Sequence, residues 1–472
     1  MRFPWEHEGP MIRLGRYGFR NWQTFVLSDY ISQGSLSSHK HILGLTGTGK
    51  SVFLANLFTQ MVEQGIAASL VDPHSDLADD VLTLLSRRGL LDNVYHVDFG
   101  RTDAYLPFNI LQQPSARDPQ HIAKTIVDAF QRSWPALAGG AAPHFENLLL
   151  SGSMVLIANN LPITAMLQLL TDETFRDMSL RKVSDPQVLN YFHHRFARWG
   201  RETADKVEST LNKVYNLTFS LPLRYTLGQA ENRLDFRRII DSGTSVIYDL
   251  GGIDADAQTF LGSLLMLGYE QAALSRKRDL GAPRRQHQLL IDEAMRFADK
   301  SQQSMTTMLS ETRKYGLFLT MAHQTFSPED EQLRRSLGNA LRIAFRVNRE
   351  DALWLAPQFA HFDPHHQKHV VEDPHAEERT HPLFSGVQEQ YEEMAVELSH
   401  DLGVGEAYVK AGGHVQRIKT ELPADQGYVD LQALKDRYAR ELMTPADEVK
   451  TIVDQPIEEA EAVPPRRRRV LT

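Results

Sequence analysis

His41-Ile42-Leu43-Gly44-Leu45-Thr46-Gly47-Thr48-Gly49-Lys50-Ser51 decides the reading of this chain. Residues 44–51 satisfy G-x-x-x-x-G-K-[S/T] in full, with an apolar run before them and a helix-like segment, Ser51 to Gln64, after them. Each position has a physical reason. Gly44, Gly47 and Gly49, with Thr46 and Thr48 between them, let successive backbone N–H groups turn inward onto phosphate oxygens. Lys50 brings a positive charge to the β and γ phosphates, and the Ser51 hydroxyl completes a Mg²⁺ shell. The helix that starts here turns its positive dipole end toward the anion. A glycine-rich turn without function is the bland alternative, and it does not account for the strand and helix on either side.

Outward from the loop, strands alternate with helices. Ala67 to Asp72 is a short apolar run ending in an acid, helical periodicity runs through Leu77, Val81, Leu84 and Leu85, and Val94 to Asp98 is strand-like again. The alternation stops near residue 115 and resumes with Ser245 to Leu250, a long apolar helix from Phe260 to Ser275, Gln288 to Glu293, Leu317 to Ala322 and Ile343 to Val347. This predicts an α/β fold, a mostly parallel sheet covered on both faces and split by an all-helical insertion. The expected divisions are a strand-rich segment 1–40, core halves 41–114 and 236–355, and a helical insertion 115–235 between them. A polar region 356–453 with strands and a helix follows, then a tail 454–472 that is acidic, contains prolines and ends near Arg466 to Arg469.

Two further strand ends carry candidate chemistry. Gln288 to Glu293 is an apolar strand closing on two carboxylates. Asp292 would hold Mg²⁺ directly or through water, and Glu293 would orient and deprotonate an attacking water. Acids at a helix start, favoured by its dipole, are the alternative; the upstream phosphate loop argues against it. Leu317 to Ala322 runs on to His323 and Gln324, whose amide at the strand end can sense a γ-phosphate. Arg313 and Lys314 precede the same strand, and strand length places them about 20 Å or more from Gln324. They suit a neighbouring subunit's nucleotide better than their own, or they form a solvated basic pair.

Composition bounds the partners. The 472 residues are 42% apolar and 24% charged, with a net charge of −9 and no cysteine. Disulfides, cysteine nucleophiles and cysteine-based zinc sites are excluded, and a reducing cytoplasm is the expected compartment. Any nucleic-acid contact must be local, in a groove or a pore. The only long charge-free stretch, Asn147 to Thr171, is interrupted by Asn159-Asn160-Leu161-Pro162, which reads as stop, turn and restart between two buried helices; no direct membrane insertion is expected.

Taken together, these stretches resemble the HerA/FtsK superfamily of P-loop ATPases, and most of all HerA-like helicases and the soluble part of type IV secretion (conjugative) coupling proteins. The residues that carry the resemblance are Ile42 to Ser51, Val71-Asp72-Pro73-His74-Ser75-Asp76-Leu77, Pro107-Phe108-Asn109-Ile110-Leu111, Leu290 to Ala294, Glu311 to Gly316 running on to Gln324, and Phe345-Arg346-Val347 with Asp351-Ala352. The match spans about residues 11–360, in the family's order. It implies a RecA-like core, ATP and Mg²⁺ as cofactors, a homohexameric ring, an arginine finger (Arg313) and DNA in a central channel. Where this chain has Ser75 the family usually has glycine, which puts a local turn in question. Coupling proteins usually carry N-terminal membrane helices; the early start of the core here favours a soluble motor.

Three weaker signals remain. Arg276, Lys277, Arg278, Arg284 and Arg285 share one loop before the acidic strand, either touching DNA phosphates or solubilising the surface. His361, His365, His366, His369 and His375, with Asp363 and Asp373, match no metal-ligand spacing. Arg466 to Arg469 reads as a nucleic-acid or acidic-partner segment, or as a tail with no fixed role. The leading functional expectation is an ATP-driven hexameric DNA translocase or helicase, acting with a nuclease in DNA processing or phage defence. The alternatives are a coupling or motor ATPase of conjugation or type IV secretion, with a relaxase as partner, and a nucleotide-switched scaffold regulating an effector.

Overall fold

The computed structural model describes residues 10–18, 23–27, 36–112, 118–133, 144–279, 284–298, 302–326, 331–372, 380–423 and 427–455. Its strands, in chain order, are β1 (Ile12–Tyr17), β2 (Gln23–Leu27), β3 (Lys40–Leu43), β4 (Ala67–Asp72), β5 (Val94–Asp98), β6 (Ala104–Tyr105), β7 (Ser245–Asp249), β8 (His287–Ile291), β9 (Leu317–His323), β10 (Leu341–Ala344), β11 (Gln367–Glu372), β12 (Thr380–Phe384), β13 (Glu406–Ala411), β14 (His414–Thr420) and β15 (Thr444–Pro445). Two helices recur below, α1 (Lys50–Glu63) and α2 (Asp76–Arg87). The chain divides into two compact units. One holds Met1–Gly65, Ile291–Met295 and Phe318–Ala424; the other holds Ile66–Leu290, Arg296–Leu317 and Asp425–Thr472.

In the first unit the strand order is β2-β1-β14-β13-β10-β3-β9. β3 lies between two parallel neighbours, with Ile42 opposite Ile343 on β10 and Ala322 on β9. All four residues of β3 and all seven of β9 are buried, as strands covered on both faces must be. Beyond β10 the sheet turns antiparallel, through a hairpin in which Ala411 pairs with His414 across Gly412-Gly413. Gly412 has φ 60, the left-handed backbone a tight two-residue turn demands. The sequence predicts strands in 356–453, but not that they extend this sheet, because β13 and β14 lie far along the chain from the strands they join.

In the second unit the order is β8-β4-β7-β5, with β4 and β5 both parallel to β7. The helix Ala255–Ser275 is buried on nearly every side, and the Asp254 carboxylate caps its start by accepting from Ala257 N–H. Every described element between β6 and β7 is helical. The apolar stretch at 147–171 stops at Ala158, turns at Asn160 with φ 55 and restarts at Ile163, and the two helical pieces meet at 120°. Among the described residues no single helix is long and apolar enough to cross a membrane, although this bent pair passes by length and composition. Leu148, Leu149 and Leu156 of this pair are inaccessible inside the unit.

That burial has a measurable consequence. Leu149→Ala should lower unfolding stability by about 2–5 kcal/mol, the range for truncating a fully packed leucine. A denaturant midpoint equal to that of the unsubstituted protein would contradict the packing.

Candidate functional site

The phosphate loop is built between β3 and α1, within the first unit. Leu45 N–H donates to the Arg346 carbonyl at 2.9 Å, fixing the loop to the strand end beside it. Gly44 is required by close approach, since a Cβ there would fall 2.7 Å from the Phe345 Cβ. Phe345 in turn packs edge-on against Phe53 of α1, with ring centres 5.6 Å apart. Gly49 has φ 100 and starts α1 without any side-chain cap, so the first N–H groups of the helix point into the loop unclaimed by a side chain. Gly47, at φ 76, faces open space.

Around this loop the structure gathers residues far apart in sequence. Lys50 Nζ lies 2.8 Å from Glu293 Oε1 and 3.6 Å from Asp292 Oδ1. Gln324 donates through Nε2 to the same Glu293 oxygen at 3.0 Å, and its Oε1 accepts from the Thr46 hydroxyl at 3.0 Å. A continuous chain therefore runs Thr46–Gln324–Glu293–Lys50. Glu293 sits at φ 46, a left-handed backbone uncommon for a bulky residue and typical of functional positions. Burial by itself raises its pKa, but the Lys50 hydrogen bond and charge, with the Gln324 amide, outweigh burial and hold it below the usual glutamate value.

Behind Gln324 the imidazoles of His41 and His323 meet Nε2 to Nε2 at 2.7 Å, fully buried. His323 Nδ1 lies 3.2 Å from the Thr325 carbonyl and donates to it, so its Nε2 accepts from His41. Burial lowers both, His323 to about 4, which keeps the pair neutral. The pair ties the end of β9, where Gln324 begins, to β3, where the phosphate loop begins.

Of the residues singled out from sequence, Gly44, Thr46, Gly47, Thr48, Gly49, Lys50, Asp292, Glu293 and Gln324 meet at this place. Ser51 stands exposed in the first turn of α1, and its hydroxyl makes no hydrogen bond among the described residues. Arg313 lies in the second unit on the 3₁₀ turn Thr312–Tyr315, exposed itself between the buried Thr312 and Tyr315, and makes no ion pair or side-chain hydrogen bond among the described residues. Lys314 pairs with Glu311 at 3.6 Å.

The basic loop needs a correction at Arg276. Its guanidinium is 1% exposed and binds Asp241 and the carbonyls of Ile240, Arg285 and Tyr315, so it is a strut inside the unit and not a phosphate contact. Burial lowers its pKa, an effect opposed by the Asp241 carboxylate. Arg284 and Arg285 are exposed but tethered, to the Lys314 and Ser242 carbonyls respectively. Lys277 is exposed, and the Arg278 side chain lies outside the described residues. The same is true of the His369 side chain, Asp373, His375 and Arg466 to Arg469; His366 pairs with Glu393 at 3.2 Å.

Sequence reasoning missed one backbone partner. The Gly405 N–H donates to the Thr48 carbonyl at 2.8 Å, and a Cβ on Gly49 would come within 3.1 Å of Gly405 N. Thr420 holds Gly405 from behind through both its N–H and its hydroxyl. The pair Gly403 and Gly405 was the one available signal. Ser75 has φ 69, a backbone conformation that glycine adopts without strain; its hydroxyl donates to Asp249 at 2.6 Å and offsets part of the strain.

The residues present fit a nucleoside triphosphate with Mg²⁺. The helix start lacks a side-chain cap, the loop opens at Gly47, and Lys50 is held by carboxylates that a phosphate can replace. The oxygen donors Ser51 and Asp292 suit a hard cation.

No protein-family model and no curated protein matches the chain. Solved structures do. The bacterial conjugative coupling protein TrwBdeltaN70 superposes with TM-score 0.55 at 18% identity, covering 84% of this chain and 88% of that one. VirB4 of Thermoanaerobacter pseudethanolicus gives TM-score 0.56 at 14% identity, covering 89% and 98%. Plasmid coupling protein TrwB in complex with ADP and Mg²⁺ gives 0.52 at 18%, covering 84% and 88%. At these identities the likeness shows the fold: the chain has the RecA-like P-loop ATPase fold expected from its motifs.

Two tests address this geometry. Gly44→Ala must displace the loop from Phe345, and displacements of about an ångström cost on the order of 10²-fold in rate. Equal nucleotide affinity and turnover in Gly44→Ala and the parent would contradict the close approach. Lys50→Met removes the hydrogen bond and the charge of Lys50 that lower Glu293, leaving burial opposed chiefly by the Gln324 amide, so its pKa rises. Carboxyl NMR titration should show that rise; an unchanged midpoint would mean Lys50 does not set it.

Proposed function

We propose that the chain is an ATP-hydrolysing motor that couples nucleotide turnover to DNA movement, as a coupling or motor ATPase of a conjugation or type IV secretion system. The observation that carries the enzymatic part is the chain Thr46–Gln324–Glu293–Lys50 at the mouth of an uncapped phosphate loop. The system is argued from fold: a structure named for conjugative coupling shares the fold over 84% of this chain. That likeness favours the coupling reading over the helicase with a nuclease partner.

Lys50 exchanges Glu293 for phosphate oxygens. Glu293, freed from the ammonium, takes a proton from water aligned at the γ-phosphate, while Gln324 keeps contact with Thr46 and reports whether that phosphate is present. Ser51 and Asp292 would hold Mg²⁺, which when bound neutralises charge on the phosphate oxygens. Arg313, exposed and unpaired among the described residues, serves the site of the next subunit in a homohexamer whose channel holds DNA.

Glu293→Gln should retain ATP binding and lose about 10²–10⁴-fold in turnover, the range for removing a general base. Hydrolysis at the parental rate would remove Glu293 from that role. Arg313→Ala should lose about 10³–10⁵-fold. Mixing it with a Lys50→Ala protein should partly restore activity, because each supplies what the other lacks; absence of rescue would place Arg313 outside a shared site. DNA-stimulated ATPase without strand displacement favours the coupling motor, and unwinding of a duplex by the chain alone favours the helicase.

A further inference from the structure

At the carboxyl ends of β4, β5 and β7, in the second unit, a cluster forms that the proposed ATPase chemistry does not use. Asp79 of α2, His96 of β5 and Asp249 of β7 each present one ligand atom, and these atoms lie within 4.8 Å of one another. His96 is 1% exposed, and its Nε2 has no hydrogen-bond partner; it points toward Asp249 Oδ2, 3.9 Å away. A buried ring nitrogen left without a partner carries the penalty of an unmade polar contact.

The cluster is also held in a ligand-ready form. Asp249 Oδ1 is engaged twice, by the Ser75 hydroxyl at 2.6 Å and the Gly251 N–H at 3.0 Å, which aims Oδ2 at His96. Such anchoring of the second oxygen orients metal-binding carboxylates. Lys435, from the helix Leu431–Leu442, reaches in with Nζ 2.5 Å from Asp79 and 3.8 Å from Asp249. It is the cluster's resident cation. That one ammonium faces two carboxylates, Asp79 and Asp249. Arg101, the next cation, is engaged by Asp103 and Asp436.

We infer that Asp79, His96 and Asp249 form a binding site for a divalent transition-metal ion of the Zn²⁺ type, for which the Lys435 ammonium is the competing occupant. One imidazole and two carboxylates with room for water suit Zn²⁺ or Co²⁺ and are a poor set for Mg²⁺, which avoids nitrogen. Four-coordinate Zn²⁺, with bonds of about 2.0–2.2 Å, needs its ligand atoms roughly 3.4 Å apart. The site therefore contracts as Lys435 withdraws; its side chain is already partly exposed.

The test uses the full chain without nucleotide, titrated with Zn²⁺ against a chromophoric chelator. The expected result is one tight site per chain, weakened about tenfold or more in both Asp79→Asn and His96→Gln and tightened in Lys435→Met, with no competition from millimolar Mg²⁺. Asp79 is partly exposed, so Asp79→Asn decides the matter if His96→Gln does not fold. Co²⁺ should give visible absorption bands that Asp79→Asn loses. Equal Zn²⁺ affinity in the unsubstituted protein and Asp79→Asn, or weaker binding by Lys435→Met, would overturn the assignment and leave Lys435 as the only cation the cluster takes.

Discussion

The 2.8 Å pair between Lys50 and Glu293 is the constraint around which the candidate site is organised. Both groups are largely withdrawn from water, and each is tolerable there because the other is present. Removing Lys50 leaves Glu293 without its counter-charge, whereas removing Glu293 leaves Lys50 only the more distant Asp292 carboxylate at 3.6 Å. Binding a phosphate is one way to take Lys50 away without that cost, because the anion replaces the carboxylate. Gln324 is bonded to the same Glu293 oxygen and to Thr46, so a change at Lys50 reaches the phosphate loop from both sides.

The fold makes this pair possible through register. β3 and β9 are parallel neighbours, with Leu43 opposite His323, so the phosphate loop and Gln324 leave the sheet at the same level. The buried His41–His323 contact ties the last residue of β9 to β3 two residues before that strand ends. Ala294 N–H donates to the Ala322 carbonyl at 2.9 Å, which draws the Asp292-Glu293 turn to the same edge. Phe345 from beneath, and Gly405 from the hairpin side, leave the loop little room to move.

Much of this was legible in the sequence, because the decisive signals are local. A complete phosphate-loop motif, an apolar strand ending in Asp292-Glu293 and another ending in Gln324 each announce a strand end, and parallel strands of such a fold end on one side. What could not be read is what depends on long-range approach. Gly405 meets Thr48 across more than 350 residues of chain, so no spacing rule finds it. Arg276 looked like part of a basic loop because composition cannot distinguish a solvated arginine from one whose five donors are taken up by Asp241 and backbone carbonyls. Asp79, His96, Asp249 and Lys435 come from four separate segments, each unremarkable alone. Ser75 is the instructive middle case: the departure from glycine was visible, while the positive φ behind it and the Asp249 bond that tolerates it were not.

Nucleotide and Glu293 compete for Lys50. This competition is tested most directly by an experimental structure of the chain with Mg²⁺ and a non-hydrolysable ATP analogue. In that structure Lys50 Nζ should lie on the β and γ phosphates and beyond hydrogen-bonding reach of Glu293, with Gln324 still bonded to Thr46. An analogue bound in the loop with the 2.8 Å Lys50–Glu293 contact intact would contradict the competition.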